Sequence, residues 1–248
     1  MTADRLPFRL DHRRIVVTGA SSGIGVDIAR VIHELGGQPI LIGRDQTRLT
    51  ALACELNATA VPVNITDEDA VSAAIAELPP LDGLVNCAGI SILDTALEAK
   101  ADDIQRILAT NVTACAVVTR ECAKRMIADA TAGSIVNVSS QAASVALSEH
   151  LGYCASKAAM DAMTRVLCLE WGPQGIRVNS VNPTVTLTPM AEMAWSAPEK
   201  RDPMLAAIPL RRFATPREVA LPVAFLLSDA AAMISGISLP IDGGYTCH

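Results

Sequence analysis

Tyr153-Cys154-Ala155-Ser156-Lys157 places a phenol and an ammonium four positions apart in a chain with only two tyrosines. On a helix, positions i and i+4 share a face, so the two groups would lie side by side. A neighbouring ammonium favours phenolate over phenol and prepares the oxygen to give and take a proton. Ser140, earlier in the chain, offers a hydroxyl that could polarise a carbonyl. Together these residues suggest proton transfer to or from an alcohol oxygen. A second pattern, Thr18-Gly19-Ala20-Ser21-Ser22-Gly23-Ile24-Gly25, follows a short apolar run. Glycines at a strand-to-helix turn let the backbone approach a pyrophosphate, and the helix N-terminus adds free amides and a positive dipole end. After the next apolar run comes Ile42-Gly43-Arg44-Asp45. An acidic residue at such a strand end binds the free 2′-OH of NAD, whereas an Arg accommodates the 2′-phosphate of NADP. Gly43 occupies the acidic position and Arg44 follows it, which favours NADP(H). Asp45 reaching the ribose, with Arg44 merely solvated, would favour NAD instead.

The elements that must position these groups follow from the apolar pattern. Apolar, β-branched runs predict strands over 14–18, 39–42, 60–63, 81–85, 134–138, 176–181 and 237–241. Helical spacing predicts helices over 23–35, 49–56, 67–78 (with Thr66 as N-cap), 101–128, 152–171 and 216–227. Strands alternating with helices, the strands continuously apolar, imply a parallel sheet covered on both faces. The expected fold class is α/β, a single-domain, doubly wound Rossmann fold spanning 1–248 with a seven-stranded parallel sheet. In that architecture ligands bind at the carboxyl edge, where Ser140 would sit. The Pro- and Met-rich stretch 182–212 reads as irregular, with a substrate lid near 184–212.

Composition narrows the function. Half the 248 residues are hydrophobic and 19% are charged, which argues against extensive disorder. No apolar run is long enough for a membrane span, and the charged stretch 1–14 lacks the apolar core of a signal peptide. The net charge of −6 argues against a nucleic-acid partner. Seven cysteines without a CxxC pair, and four histidines without ligand spacing, predict structural thiols, a reducing cytoplasmic location and no metal.

Thr18-Gly19-x-x-x-Gly23-x-Gly25, Asn86-Cys87-Ala88-Gly89, Asn111, Ser140 and Tyr153-x-x-x-Lys157 resemble, in order and over nearly the whole chain, the short-chain dehydrogenase/reductase family. The resemblance implies a nicotinamide cofactor and reversible hydride transfer between carbonyl and alcohol. It implies Tyr153 as acid/base, Lys157 on the nicotinamide ribose, Ser140 orienting the substrate oxygen, and Asn111 supporting a water in a proton relay to Lys157. For the cofactor it implies Gly19, Ser21, Ser22, Gly23, Ile24 and Gly25 at the glycine turn and Arg44 at the 2′-phosphate. Asn64 and Ile65 would lie beside adenine, with Asn86, Ala88 and Gly89 on the adenosine side. Pro183, Thr184, Val185, Thr186 and Thr188 would be further cofactor contacts.

Ile135 to Gln141, Asn182-Pro183-Thr184-Val185, Trp195-Ser196-x-Pro198, Ile208-Pro209-Leu210 and Asp242-Gly243-Gly244 are similar to the family's L-xylulose/dicarbonyl reductase subgroup. That likeness implies an NADPH-dependent homotetramer that reduces pentuloses and α-dicarbonyls, with Gln141, Leu147, His150 and Trp195 facing the substrate. Four residues, at three places, depart from the patterns. Ser22 stands where the subgroup has a Lys, Asn64-Ile65 replaces an acidic-apolar pair, and Thr184 replaces the wider family's Gly. Other readings are an NAD-dependent polyol dehydrogenase and a 3-oxoacyl carrier-protein reductase, for which Arg211 and Arg212 would supply a small basic patch. A protein that binds nucleotide without turnover is a further reading, against which stands the full Asn-Ser-Tyr-Lys set.

Overall fold

The computed structural model describes residues 8–247. The remainder of the N-terminal stretch, residues 1–7, and His248 lie outside them. Seven strands form one parallel sheet: β1 (Arg14–Thr18), β2 (Gln38–Gly43), β3 (Thr59–Pro62), β4 (Gly83–Asn86), β5 (Ser134–Val138), β6 (Arg177–Pro183) and β7 (Ser238–Ile241). Their order is β3-β2-β1-β4-β5-β6-β7, so the winding reverses between β1 and β4. That reversal opens a crevice at the carboxyl edge of the sheet.

Period-two alternation sends successive strand residues to opposite faces. Val17, Leu41, Val85, Val136 and Val181 pack under α1 (Ile24–Glu34), α2 (Gln46–Leu56) and α9 (Pro216–Leu227). Val16, Ile42, Leu84, Ile135 and Val178 pack on the other face, against α3 (Glu68–Ala76) and α5 (Cys115–Ala128). On that side α4 (Ala101–Leu108) packs on α6 (Leu151–Trp171). Burying each such Val, Leu or Ile side chain contributes about 1.5–3 kcal/mol. Both faces are therefore largely apolar, and the buried polar side chains within β5 and β6, Asn137, Asn179 and Ser180, are hydrogen-bonded.

Beyond end shifts of a residue or two, four features differ from the sequence expectation, each for a local reason. Helix α2 starts earlier than its apolar residues, because Asp45 accepts from Arg48 N at 3.0 Å and caps it. Helix α3 is capped by Asp67, which accepts from Ala70 N at 3.0 Å, and not by Thr66. The expected helix over 101–128 is continuous but contains a π-helical turn, Ala109–Ala114, between α4 and α5. The stretch over 182–212 is not irregular. Strand β6 runs to Pro183, and α7 (Pro189–Ala194) and α8 (Pro198–Ala207) follow, each with proline in its first turn. Neither short helix carries a long apolar stripe, so periodicity could not reveal them.

Candidate active site

The glycine turn joins β1 to α1 at the crevice. Gly19 adopts φ 70°, and a Cβ there would lie 2.8 Å from Ala88 N. Gly25 is equally constrained, since its Cβ would run into the Gly19 carbonyl oxygen. Only glycine permits this approach of backbone to backbone. Thr18 Oγ1 latches the two segments by accepting from Cys87 N (3.1 Å) and Ala88 N (3.2 Å). No side chain caps α1, whose N-cap is Gly23. Its first amides therefore remain open to an anion, as a dinucleotide pyrophosphate requires. Ser21 is half-buried and Ser22 exposed beside them, while Ile24 opens α1. Thr188 lies over the turn, its methyl 3.2 Å from where a Gly23 Cβ would be. The segment after β6 thus borders the same groove. Thr186 Oγ1 donates to Thr184 O at 3.0 Å, and Val185 is half-buried between them.

At the end of β2, Arg44 is exposed and makes no ion pair among the described residues. Asp45 is occupied: besides capping α2 it pairs with Arg48 Nε at 3.3 Å. Asn64 is exposed and accepts from Thr66 N at 3.4 Å, whereas Ile65 belongs to the apolar core. The side chain of Asn86 is buried and donates to Thr119 Oγ1 (2.7 Å) and Asn137 Oδ1 (2.9 Å). That side chain is thus committed within the protein.

Tyr153 and Lys157 share one face of α6. Lys157 Nζ lies 5.7 Å from the Tyr153 ring centroid and donates to Val138 O at 2.8 Å. Lys157 is 5% exposed, and no carboxylate pairs with it among the described residues. Its charge is therefore directed at the phenol and at whatever enters the crevice. Ser140 follows β5, its Oγ accepting from Ala142 N at 3.1 Å. An oxygen already accepting from the backbone keeps its O–H free to donate. Asn111 is buried in the π-helical turn, where a widened backbone often marks a functional position. Its Oδ1 accepts from Ile90 N (2.8 Å), and its Nδ2 donates to Ile90 O (2.9 Å) and Ser156 Oγ (3.0 Å). Gly89 packs between these groups. A Cβ there would be 3.2 Å from Asn111 Oδ1 and 3.7 Å from Lys157 Nζ. Asn111, Lys157, Tyr153 and the 89–90 segment thus converge at the carboxyl edge.

Beside them, His150 meets Tyr153 edge-on with ring centroids 6.0 Å apart. Its Nδ1 is 2.6 Å from Ser148 O, so a neutral ring carries its proton there and leaves Nε2 as an acceptor. Leu147 is half-buried nearby in sequence. Gln141 is 2% exposed, and its Oε1 has no partner among the described residues. Trp195 stacks edge-on against Phe213 at 5.6 Å, which fastens the α7–α8 excursion to the body. A cavity of about 510 Å³ lies beyond Thr184, between Leu210, Arg212, Glu218 and Asp242. Tyr153, Ser140 and Lys157 do not line it. Among the described residues no three His, Cys, Asp or Glu gather as a metal site, and no helix is long and apolar enough to cross a membrane.

Sequence reasoning overlooked Ser156, Asp161 and Asn182 as parts of this site. Ser156 receives Asn111, and Asn182 Nδ2 donates to both Ser140 O and Asp161 Oδ2. One signal was present: an aspartate on the face of α6 that carries Tyr153 and Lys157.

A family model described as "Enoyl-(Acyl carrier protein) reductase" matches residues 19–246. The L-xylulose reductase of Bos taurus is 40% identical over 241 residues, covering 97% of this chain and 99% of that protein. The D-threitol dehydrogenase of Mycolicibacterium smegmatis is 41% identical, covering 96% of this chain and 95% of its own. The crystal structure of a candidate NAD(P)-dependent gluconate 5-dehydrogenase from Beutenbergia cavernae, with NADP at low occupancy, superposes with a TM-score of 0.93. It is 32% identical and covers 98% of this chain and 100% of that one. With its glycine turn, seven-stranded parallel sheet and Tyr-Lys pair, the chain belongs to the short-chain dehydrogenase/reductase family and is an oxidoreductase of CH–OH/C=O groups.

Proposed function

We propose that this protein is an NADP(H)-dependent reductase of small polar ketones, an L-xylulose-type ketose or an α-dicarbonyl. The observation that carries the reading is the buried Lys157, unpaired by any carboxylate among the described residues and set against the Tyr153 ring at the carboxyl edge. The cofactor, when bound, supplies or accepts the hydride. Gly19, Gly23 and Gly25 would hold its pyrophosphate, Arg44 its 2′-phosphate, and Lys157 and the 183–188 segment its nicotinamide end. Tyr153 gives its phenolic proton to the substrate oxygen, and Lys157 stabilises the phenolate left behind. Ser140 donates its free O–H to the same oxygen. Asn111 ties the 89–90 segment to α6, and the second lone pair of its Oδ1 is available to a relay water. Gln141 Oε1 and His150 Nε2 are acceptors suited to the hydroxyls of a polyol, with Leu147 and Trp195 as apolar walls.

The relatives named for L-xylulose and D-threitol support a short polyhydroxylated substrate. Carrier-protein chemistry fits less well. Its acidic partner wants a basic patch, and Arg212 is bound by Glu218 at 2.5 and 2.7 Å while Arg211 donates to Ala206 O. The D-threitol relative favours one second reading, an NAD-dependent polyol dehydrogenase working in the oxidative direction. We further propose one catalytic domain over 1–248 with its lid near 184–212, a homotetramer, and a cytoplasmic location. The test is parallel initial rates with NADPH and NADH against L-xylulose, D-erythrulose and diacetyl, and with threitol in reverse. Fast NADPH turnover with the ketoses is expected. Activity confined to NAD and threitol would move the assignment to the dehydrogenase. Turnover with none of them would overturn the substrate class.

A further inference from the structure

Helix α6 presents Tyr153, Lys157 and Asp161 at successive i, i+4 positions of one face. The third of these has no evident structural need. Asp161 is 6% exposed, and no cation pairs with it among the described residues. Among the described residues its Oδ2 accepts one bond, from Asn182 Nδ2 at 2.7 Å, and its Oδ1 has no partner. A buried carboxylate with a single neutral donor is a costly way to fill the space, and an apolar residue of that size would cost the fold less. An unsatisfied buried group of this kind calls for a functional explanation.

The explanation lies in what Asn182 does with its other hydrogen. Asn182 stands immediately before Pro183 in β6, and its Nδ2 also donates to Ser140 O at 3.0 Å. Both amide hydrogens are therefore committed. Rotating the amide by half a turn would set Oδ1 against two acceptors, the Ser140 carbonyl and the Asp161 carboxylate. The carboxylate thus dictates the orientation of the amide, and the amide grips Ser140 by its main chain. Ser140 is extended there, with φ −165° and ψ 156°, and its Oγ accepts from Ala142 N. The same amide couples that serine to the strand end leading into Pro183, Thr184 and Val185.

We propose that Asp161 is a positioning residue for the reaction: through Asn182 it holds the Ser140 main chain, and with it the hydroxyl that meets the substrate oxygen. This rests on the role proposed above for Ser140. The acceptor oxygen of residue 161 matters, not its charge. Asp161→Asn retains an acceptor, and Asp161→Leu removes it while keeping the same branched skeleton of heavy atoms.

Two readouts test this, one independent of any substrate. Hydrogen–deuterium exchange at the Ala142 amide reports whether Ser140 Oγ is held. Asp161→Leu is expected to speed that exchange by at least about tenfold and lower kcat by at least about tenfold, with the KM for NADPH unchanged. Asp161→Asn is expected to keep both within about threefold of the parent. A merely structural role would lower the melting temperature of both variants and leave kcat of the folded enzyme intact. Parent-like exchange and kcat in Asp161→Leu would overturn the proposal, as would equal damage from Asp161→Asn. If Asp161→Leu does not fold, Asp161→Ala replaces it with the same expected outcomes. If the parent enzyme reduces no ketone, the proposed substrate class fails, and the Ala142 exchange decides the clamp by itself.

Discussion

Removing the guanidinium of Arg44 should weaken NADPH and leave NADH untouched. Arg44 is exposed, next to Gly43 at the end of β2, and pairs with no carboxylate among the described residues. Arg44→Ala therefore removes nothing the fold uses, and the melting temperature should hold. A charge-assisted hydrogen bond to the 2′-phosphate is worth about 1.5–3 kcal/mol. Solvent and salt place an exposed pair at the low end. About 1.5 kcal/mol corresponds to roughly a tenfold rise in the KM for NADPH. Gly43→Asp should push further the same way. A Cβ at Gly43 would lie 3.2 Å from Ser21 Oγ and 3.5 Å from Leu49 Cδ1, so a side chain enters with a small adjustment. Its carboxylate would repel the 2′-phosphate and accept from a free 2′-OH. The double variant should prefer NADH. The assay is initial rates over a concentration series of each cofactor, at low and moderate salt. Equal rises in both KM values after Arg44→Ala, or no change with NADPH, would refute the assignment of Arg44.

Two further predictions concern titration. Glu218 completes a capping box with Thr215 and pairs with Arg212, which hold its carboxyl down at about 2, below its ordinary 4.5. A depressed carboxyl stabilises the fold above its unfolded value, and that contribution fades as pH falls from 4.5 towards about 2. Gln keeps the capping box and loses only the solvent-screened pair with Arg212, so Glu218→Gln should lower the melting temperature at neutral pH by an amount equivalent to about 0.5 kcal/mol, and the gap should close under acid; melts across pH check this. Burial pushes the thiols of Cys87 and Cys122 up to about 12 and that of Cys115 up to about 11. Iodoacetamide at about pH 8 should modify the exposed Cys54 first and spare these three, as read by peptide mass mapping; early labelling of Cys115 would contradict it.

The fold was legible in the sequence because both core layers are written in apolar residues. Val16 and Val17 face opposite sides of the sheet, and helices α1 and α9 begin and end within a residue or two of their apolar runs. Local polar choices were harder to read. Thr66 and Asp67 are both good caps, and only the geometry of α3 selects Asp67. The π-helical turn at Asn111 keeps the helix continuous, so no break in periodicity announces it. Helices α7 and α8 are short, and α8 contains no buried residue. At the site, the Tyr-x-x-x-Lys spacing and the glycine turn rest on local geometry, which sequence encodes directly. The Asp161–Asn182–Ser140 chain joins α6, β6 and the end of β5 across the fold. Nothing short of tertiary structure brings those three positions together.

The central claim is that Tyr153 moves the proton. Tyr153→Phe keeps the ring against His150 and Lys157 and removes only the oxygen, so NADPH affinity and the melting temperature should stay near those of the parent. Loss of a positioned general acid should lower kcat with the best ketose by about a hundredfold or more. A Tyr153→Phe enzyme that binds NADPH normally and still turns over within about tenfold of the parent would contradict the account.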